Sequence, residues 1–193
     1  MSTLLVKHIH TLATFDDSGL ELRDASVFVR DNVIEAIGPD VKGFAVGERV
    51  CYVTQSYGAY ADARLIDAHH LIRVPDGLDD RTVAASLVKG LTALMLVTKM
   101  RRLTAHDTCL VYAAAGGVGL ALCQIARRIG ARVIGVVGSP EKVAPAREAG
   151  CTDVIIRTQE DVAHQAMALT NGRGLDVVYD SVGKDTFESS LDI

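Results

Sequence analysis

The run CLVYAA (109–114) is apolar throughout, as a strand buried on both faces requires, and it leads through Gly116, Gly117 and Gly119 into VGLALCQIARRI (118–129). In that second segment Val118, Leu122, Ile125 and Ile129 recur at helical spacing, and Gly130 supplies a stop. A further strand, RVIGVV (132–137), follows at once, then DVIIR (153–157) and DVVYD (176–180), with helical segments between them. Strands that alternate with helices pair in parallel through right-handed crossovers. The expected fold class is therefore α/β, a partial Rossmann-type parallel sheet of about four strands.

A strand that ends in a glycine turn and feeds a helix aims backbone N–H groups and the positive end of the helix dipole at one point beyond the sheet, which suits a pyrophosphate. Gly116 and Gly117 are expected at positive φ, letting the backbone approach phosphate, and Gly119 is expected to let the helix pack closely on its strand. The spacing is not a full GxGxxG, and glycines also serve close packing where no ligand binds. The second strand adds information. It ends in Gly138 and Ser139 rather than in the Asp or Glu that accepts the ribose hydroxyls of NAD, and Lys142 lies just beyond. An absent acid beside a cation favours a 2′-phosphate, hence NADP. Ser139 is expected to cap the next helix with Pro140 in its first position, while Pro145 inside EKVAPAREA is expected to kink or delay that helix and to displace Lys142.

Upstream the chain reads differently. LLVKHIHTLAT and ASVFVRDNVIEAIG are strand-like, separated by the polar turn FDDSGLELRD, with Asn32 at a tight turn. Further strand candidates, ERVCYVT, GAYADARLI and HLIRV, close with the turn VPDG. From Asp79 to about Met100 the pattern is helical, with Asp79 as cap, an apolar stripe of Val83, Leu87, Leu91, Leu94 and Val97, and Gly90 expected to bend or divide the helix.

A formal charge of −4 with no basic block leaves no electrostatic footprint for nucleic acid or an anionic membrane. The N-terminus has too short an apolar run for a signal peptide, and no apolar window is seen to approach the ~20 residues of a membrane span, so a cytoplasmic location is expected. Cys51, Cys109, Cys123 and Cys151 are widely separated, and three of them sit in apolar runs; they are read as reduced thiols. No CxxC suggests structural zinc. His8 and His10 form an HxH pair that is read as strand histidines rather than metal ligands.

GERVCYV, GAYADARLI, VPDGL, AASLVKGLTA, AAAGGVGLALCQIAR, RVIGVVGSPEK and LDVVYDSVGKDTFESSLD occur in collinear order from about residue 41 to 193. In these pieces the chain resembles the zinc-independent NADPH:quinone oxidoreductases of zeta-crystallin type, within the medium-chain dehydrogenase/reductase superfamily. The resemblance implies hydride transfer from NADPH to a quinone or similar conjugated carbonyl such as an enone, in a cleft between a GroES-like β domain and a Rossmann domain, in a homodimer. It places Thr92 near the nicotinamide, Ala115, Gly116, Gly117 and Val118 under the pyrophosphate, and Gly138, Ser139 and Lys142 around the 2′-phosphate. Ser181, Val182 and Gly183 would line the cofactor after the fourth strand. Arg157 stands where close relatives carry a tyrosine that contacts the 2′-phosphate. No catalytic residue and no metal ligand is assigned.

Residues 1–38 instead resemble the N-terminal β segment of amidohydrolases of the 8-oxoguanine or chlorotriazine deaminase type. The expected divisions are that segment, a remnant of an incomplete GroES-like region at 39–78, connecting helices at 79–103 and a truncated NADP-binding Rossmann domain at 104–193. The family's strands bearing the asparagine and tyrosine of the quinone pocket have no counterpart here, and its last two Rossmann strands lie beyond the end, so the fourth strand is expected as an open edge. These departures imply a truncated chimera of impaired activity. Two other functions stay open at this point: a non-catalytic dinucleotide-binding module or inert fragment, and a metal-dependent deaminase.

Overall fold

The computed structural model describes residues 3–13, 21–30, 33–39, 44, 48–53, 66 and 68–193. The chain divides into two compact units, Met1–Leu78 and Asp79–Ile193. The helices expected as connectors at 79–103 thus belong to the same unit as the parallel sheet.

In the first unit β1 (Thr3–Ala13), β2 (Glu21–Arg30) and β3 (Val33–Pro39) form an antiparallel meander. Thr3 pairs with Arg30 and Ala13 with Glu21, and a bulge shifts the register between Val6 and Ile9. The ELRD expected in a turn is therefore strand, because Leu22 and Arg23 find ladder partners in Leu12 and Thr11. Arg30 pairs with Val33, and the Asn32 between them lies outside the described residues. A second ribbon joins β4 (Val50–Tyr52) to β5 (Leu71–Arg73), with Val50 opposite Arg73. All of GAYADARLI except Ile66 lies outside the described residues. VPDG turns through Gly77 at φ +84°.

The second unit opens with α1 (Asp80–Met95), capped by Asp79, whose carboxylate accepts the Thr82 N–H at 2.8 Å. The helix runs unbroken through Gly90 and widens into a π-helical turn only at Leu96–Met100. Gly90 does not divide it, because a glycine penalty of about 1 kcal/mol is outweighed where Val83, Ala93 and Val97 are buried. The stripe is also narrower than expected, since Leu91 and Leu94 are 43% and 48% exposed while Ala93 occupies the buried line. Together the helix and its π turn, Asp80–Met100, make one 21-residue segment apolar enough to cross a membrane by length and composition, which corrects the expectation that no window comes close. In this structure Ala93 and Val97 join the core shared with Leu122 and Cys123.

Four parallel strands, β6 (Thr108–Val111), β7 (Arg132–Val137), β8 (Asp153–Ile156) and β9 (Val177–Tyr179), order as β8-β7-β6-β9. β9 is thus an edge among the described strands, as expected for the fourth strand. The helices are α2 (Gly117–Ile129), α3 (Val143–Ala149), α4 (Val162–Leu169) and α5 (Phe187–Leu191). On one face of the sheet Cys109, Val111 and Val133 pack with Leu122, Cys123 and Ala126 of α2; on the other Leu110, Ile134 and Ile155 pack with Ala166 of α4. The side chains of α2 expected on its inner face are only partly confirmed. Leu122 is buried, but Val118, Ile125 and Ile129 are half-buried flanks, and the central line is Gly119, Leu122, Cys123 and Ala126. Small residues let this helix approach the sheet closely. Gly130 stops it in the left-handed conformation, φ 95°. Cys109, Cys123 and Cys151 are buried free thiols, and burial pushes the Cys109 thiol up to about 12.

Pro140–Lys142 forms a single 3₁₀ turn, and α3 begins late, at Val143. Pro145 then falls in the first turn of α3, where its missing N–H leaves no acceptor unserved.

Candidate functional site

β6 ends at Val111, and the chain turns through Ala113 in the left-handed region, φ 48°, before entering α2. The Gly116 N–H donates to the Ala113 carbonyl at 2.7 Å, and the Gly116 carbonyl accepts from Leu120 N–H at 2.8 Å. Gly116 is extended, φ −80° and ψ 169°, and Gly117 is not at positive φ either. The positive φ expected for these two glycines is corrected accordingly, because Ala113 makes the reversal before the chain reaches them.

What the glycines supply is space. A Cβ on Gly116 would stand 3.0 Å from the Ala113 carbonyl oxygen, and one on Gly119 would overlap that same oxygen and come within 2.9 Å of Ala114 Cα. The turn therefore closes tightly under the start of α2. Its first N–H groups, on Gly117, Val118 and Gly119, have no intrahelical acceptors and open beyond the sheet edge.

A cavity of about 210 Å³ lies between this loop and the end of β7. Of the residues expected around a cofactor, it brings together Ala115, Gly116, Gly138, Lys142, Arg157 and Val182. Lys142 is not displaced, because the 3₁₀ turn ahead of α3 leaves it at the cavity wall. Arg157 reaches the same place from the end of β8, where its N–H donates to Val137 at 3.0 Å. Two cations thus face one small cavity, neither of them in an ion pair among the described residues. Ser139 does not cap the helix; its hydroxyl donates to the Glu141 carboxylate, a hydrogen bond that holds that carboxyl below its usual range.

On the other side of the loop a second cavity, of about 290 Å³, carries Val118 and Ser181 on walls formed by Leu96, Leu122, Val177 and Tyr179. Its lining is mostly apolar. Arg101 reaches it, but that guanidinium is engaged with Asp107 at 2.8 Å. Thr92, Gly117, Ser139 and Gly183 line neither cavity. The Thr92 hydroxyl donates back to the Val88 carbonyl at 2.8 Å within α1.

Several residues that order the site escaped the sequence reading. Asp180 ties down the loop after β9, its carboxylate accepting the N–H groups of Val182 and Gly183 at 2.8 and 3.1 Å and the Thr186 hydroxyl at 2.7 Å. Burial works against ionisation there, yet these hydrogen bonds together hold its carboxyl below the usual range. An aspartate three residues before a glycine is the signal that could have found it. Tyr112 stands in the walls of both cavities and Tyr179 in the apolar one, and both hydroxyls are buried without a hydrogen-bond partner. Burial pushes the Tyr179 hydroxyl up to about 12.

No three His, Cys, Asp or Glu side chains gather to hold a metal ion among the described residues. His8 and His10 lie in β1.

Residues 117–193 match the zinc-binding dehydrogenase family. A quinone oxidoreductase of Pseudomonas aeruginosa is 45% identical over 159 residues, 82% of this chain and 49% of its own length. A 2-haloacrylate reductase of a Burkholderia species is 44% identical over 162 residues, 83% of this chain and 49% of its own length. The crystal structure of Escherichia coli quinone oxidoreductase complexed with NADPH superposes with a TM-score of 0.78 at 33% identity, covering 98% of this chain and 61% of that one. The chain spans about half the length of these curated relatives. Its parallel sheet and helices are those of the nucleotide-binding half of medium-chain dehydrogenases/reductases, residues 117–193 carry the zinc-binding dehydrogenase domain, and about four-fifths of the chain is similar to quinone oxidoreductases.

Proposed function

We propose that this chain binds NADPH and belongs to an oxidoreductase that passes hydride to a quinone or a similar conjugated carbonyl. The observation that carries the reading is the cavity beside the glycine loop, which collects Lys142 and Arg157 from separate elements at the end of a strand that carries no acid. The residues fit the cofactor in kind. Unsatisfied N–H groups at the start of α2 suit a pyrophosphate, the glycines leave room for it, and two cations suit a 2′-phosphate.

The nicotinamide supplies the hydride, from its C4. Lys142 and Arg157 bind and select the phosphorylated ribose, Ala115 to Val118 seat the pyrophosphate, and Ser181, Val182 and Gly183, held by Asp180, form the wall beyond it. Arginine at 157 offers a planar pair of donors to a phosphate, a geometry that lysine cannot supply.

A second reading, a dinucleotide-binding module without turnover, draws on a specific observation. Asp180 is the only carboxylate in the two cavity walls among the described residues, and its oxygens are already occupied by the loop it holds. NADPH binding measured by calorimetry, beside loss of reduced-nicotinamide absorbance with 1,4-benzoquinone, separates the two. Binding with turnover supports the oxidoreductase, binding without turnover supports the module, and no binding of NADPH at millimolar concentration sinks both.

A further inference from the structure

The ammonium group of Lys89 has no place in the reading so far. Lys89 lies on α1, one helical turn before Thr92, and its side chain crosses the first residue of α2. A Cβ built on Gly117 would stand 2.7 Å from Lys89 Cδ, 2.7 Å from Cε and 3.2 Å from Nζ. No other residue supplies a closer neighbour at that point. The lysine stem therefore occupies the space that a side chain at position 117 would fill, and its charged end stands directly beside the start of α2. Lys89 is exposed and makes no hydrogen bond or ion pair among the described residues.

A cation held beside the positive end of a helix is electrostatically unfavourable in the empty protein. It becomes favourable when an anion arrives between them. The cavity carrying Lys142 and Arg157 lies on the far side of Gly116, so the two groups of cations are separated along the loop, as the phosphates of one dinucleotide are.

We propose that Lys89 is a further cofactor-positioning residue, which pairs its ammonium with the bridging pyrophosphate, and that Gly117 is a glycine in order to let the lysine stem pass. This deepens the dinucleotide-binding reading and rests on it. The lysine acts on the phosphates common to NADPH and NADH, and Arg157 and Lys142 act on the 2′-phosphate that only NADPH carries.

The test measures dissociation constants of NADPH and NADH for the wild type, Lys89→Ala, Lys89→Arg and Arg157→Ala, with circular dichroism to establish that each variant is folded. Lys89→Ala weakens both cofactors by a similar factor, about tenfold, and flattens the salt dependence of binding. Lys89→Arg restores most of the affinity, and Arg157→Ala weakens NADPH alone. In a double-mutant cycle Gly117→Ala weakens binding in the wild type and has little further effect in Lys89→Ala, since the clash is gone. Unchanged affinity in folded Lys89→Ala overturns the proposal and leaves the dinucleotide site standing. A loss confined to NADPH overturns the pyrophosphate assignment, and an equal cost of Gly117→Ala in both backgrounds overturns the role of the glycine. A wild type that binds neither cofactor overturns the site and the lysine together.

Discussion

The two cavities that flank the glycine loop share Tyr112 and differ in almost everything else. Beside β7 the wall is short, polar and cationic, and its charges come from two elements that sheet pairing brings together. Beside β9 it is apolar, with the buried Tyr179 hydroxyl unpartnered and its one arginine engaged with Asp107. One loop thus borders a wall suited to phosphate and a wall suited to an uncharged ring or to apolar side chains. The difference arises from which strand ends lie on either side, since β7 and β8 terminate in Gly138 and Arg157 while β9 terminates in Asp180, already occupied by its own loop.

The largest effect is expected where both walls meet. Gly119→Val forces a branched side chain into the Ala113 carbonyl and the Ala114 backbone, and it should destabilise the protein by about 3 kcal/mol while abolishing NADPH binding. Chemical denaturation and calorimetry check it. A variant with wild-type stability would mean that the loop is looser than its contacts indicate.

Next comes the cationic wall. Arg157→Ala with Lys142→Ala should weaken NADPH by about 100-fold, and either change alone by about tenfold. NADH should be almost unaffected by all three. Equal losses for the two cofactors would show that this cavity does not read the 2′-phosphate.

A smaller effect concerns the engaged arginine of the apolar wall. The Arg101 guanidinium, followed by the Thr104 hydroxyl, holds the Asp107 carboxyl down to about 2 from the ordinary 3.8. Because the folded value is the lower one, this contribution to stability is fully present above pH 3.8 and is lost as the pH falls through about 2. The stability difference between the wild type and Asp107→Asn should therefore shrink across that window in acid-unfolding experiments. A constant difference would mean that the pair contributes nothing that depends on ionisation.

The smallest effect is expected for Tyr179→Phe. Removing a buried hydroxyl that has no partner should leave stability unchanged or raise it by up to about 1 kcal/mol. If the same change weakens cofactor or quinone binding, the apolar wall is a working part of the site.

The parallel sheet was readable because each strand is an uninterrupted apolar run and each helix has a glycine or a cap at its boundary. RVIGVV matches β7 residue for residue, and Gly130 ends α2 where it was expected. Local strain was not readable. Ala113 takes the left-handed turn that Gly116 and Gly117 were expected to take, because conformational permissiveness in a sequence does not say where the chain reverses. The inner face of α2 was displaced from its most apolar residues for a related reason, since close packing selects small side chains that periodicity undervalues. In α1 the same preference brought Ala93 inside and left Leu91 and Leu94 in solvent.

By itself the sequence determined that a strand, a glycine loop and a helix would present backbone donors at one sheet end, that the next strand would end without an acid, and that Lys142 and Arg157 would be available nearby. Those are local properties, set by hydrophobic period, by the absence of a Cβ and by residue type. Only the tertiary structure decided that Arg157 shares a cavity with Gly138 while Thr92 does not, that Asp180 is consumed by its own loop, and that the stem of Lys89 lies in the space over Gly117. Such juxtapositions depend on strand order and on how closely helices approach, and they join residues far apart in the chain that no periodicity links.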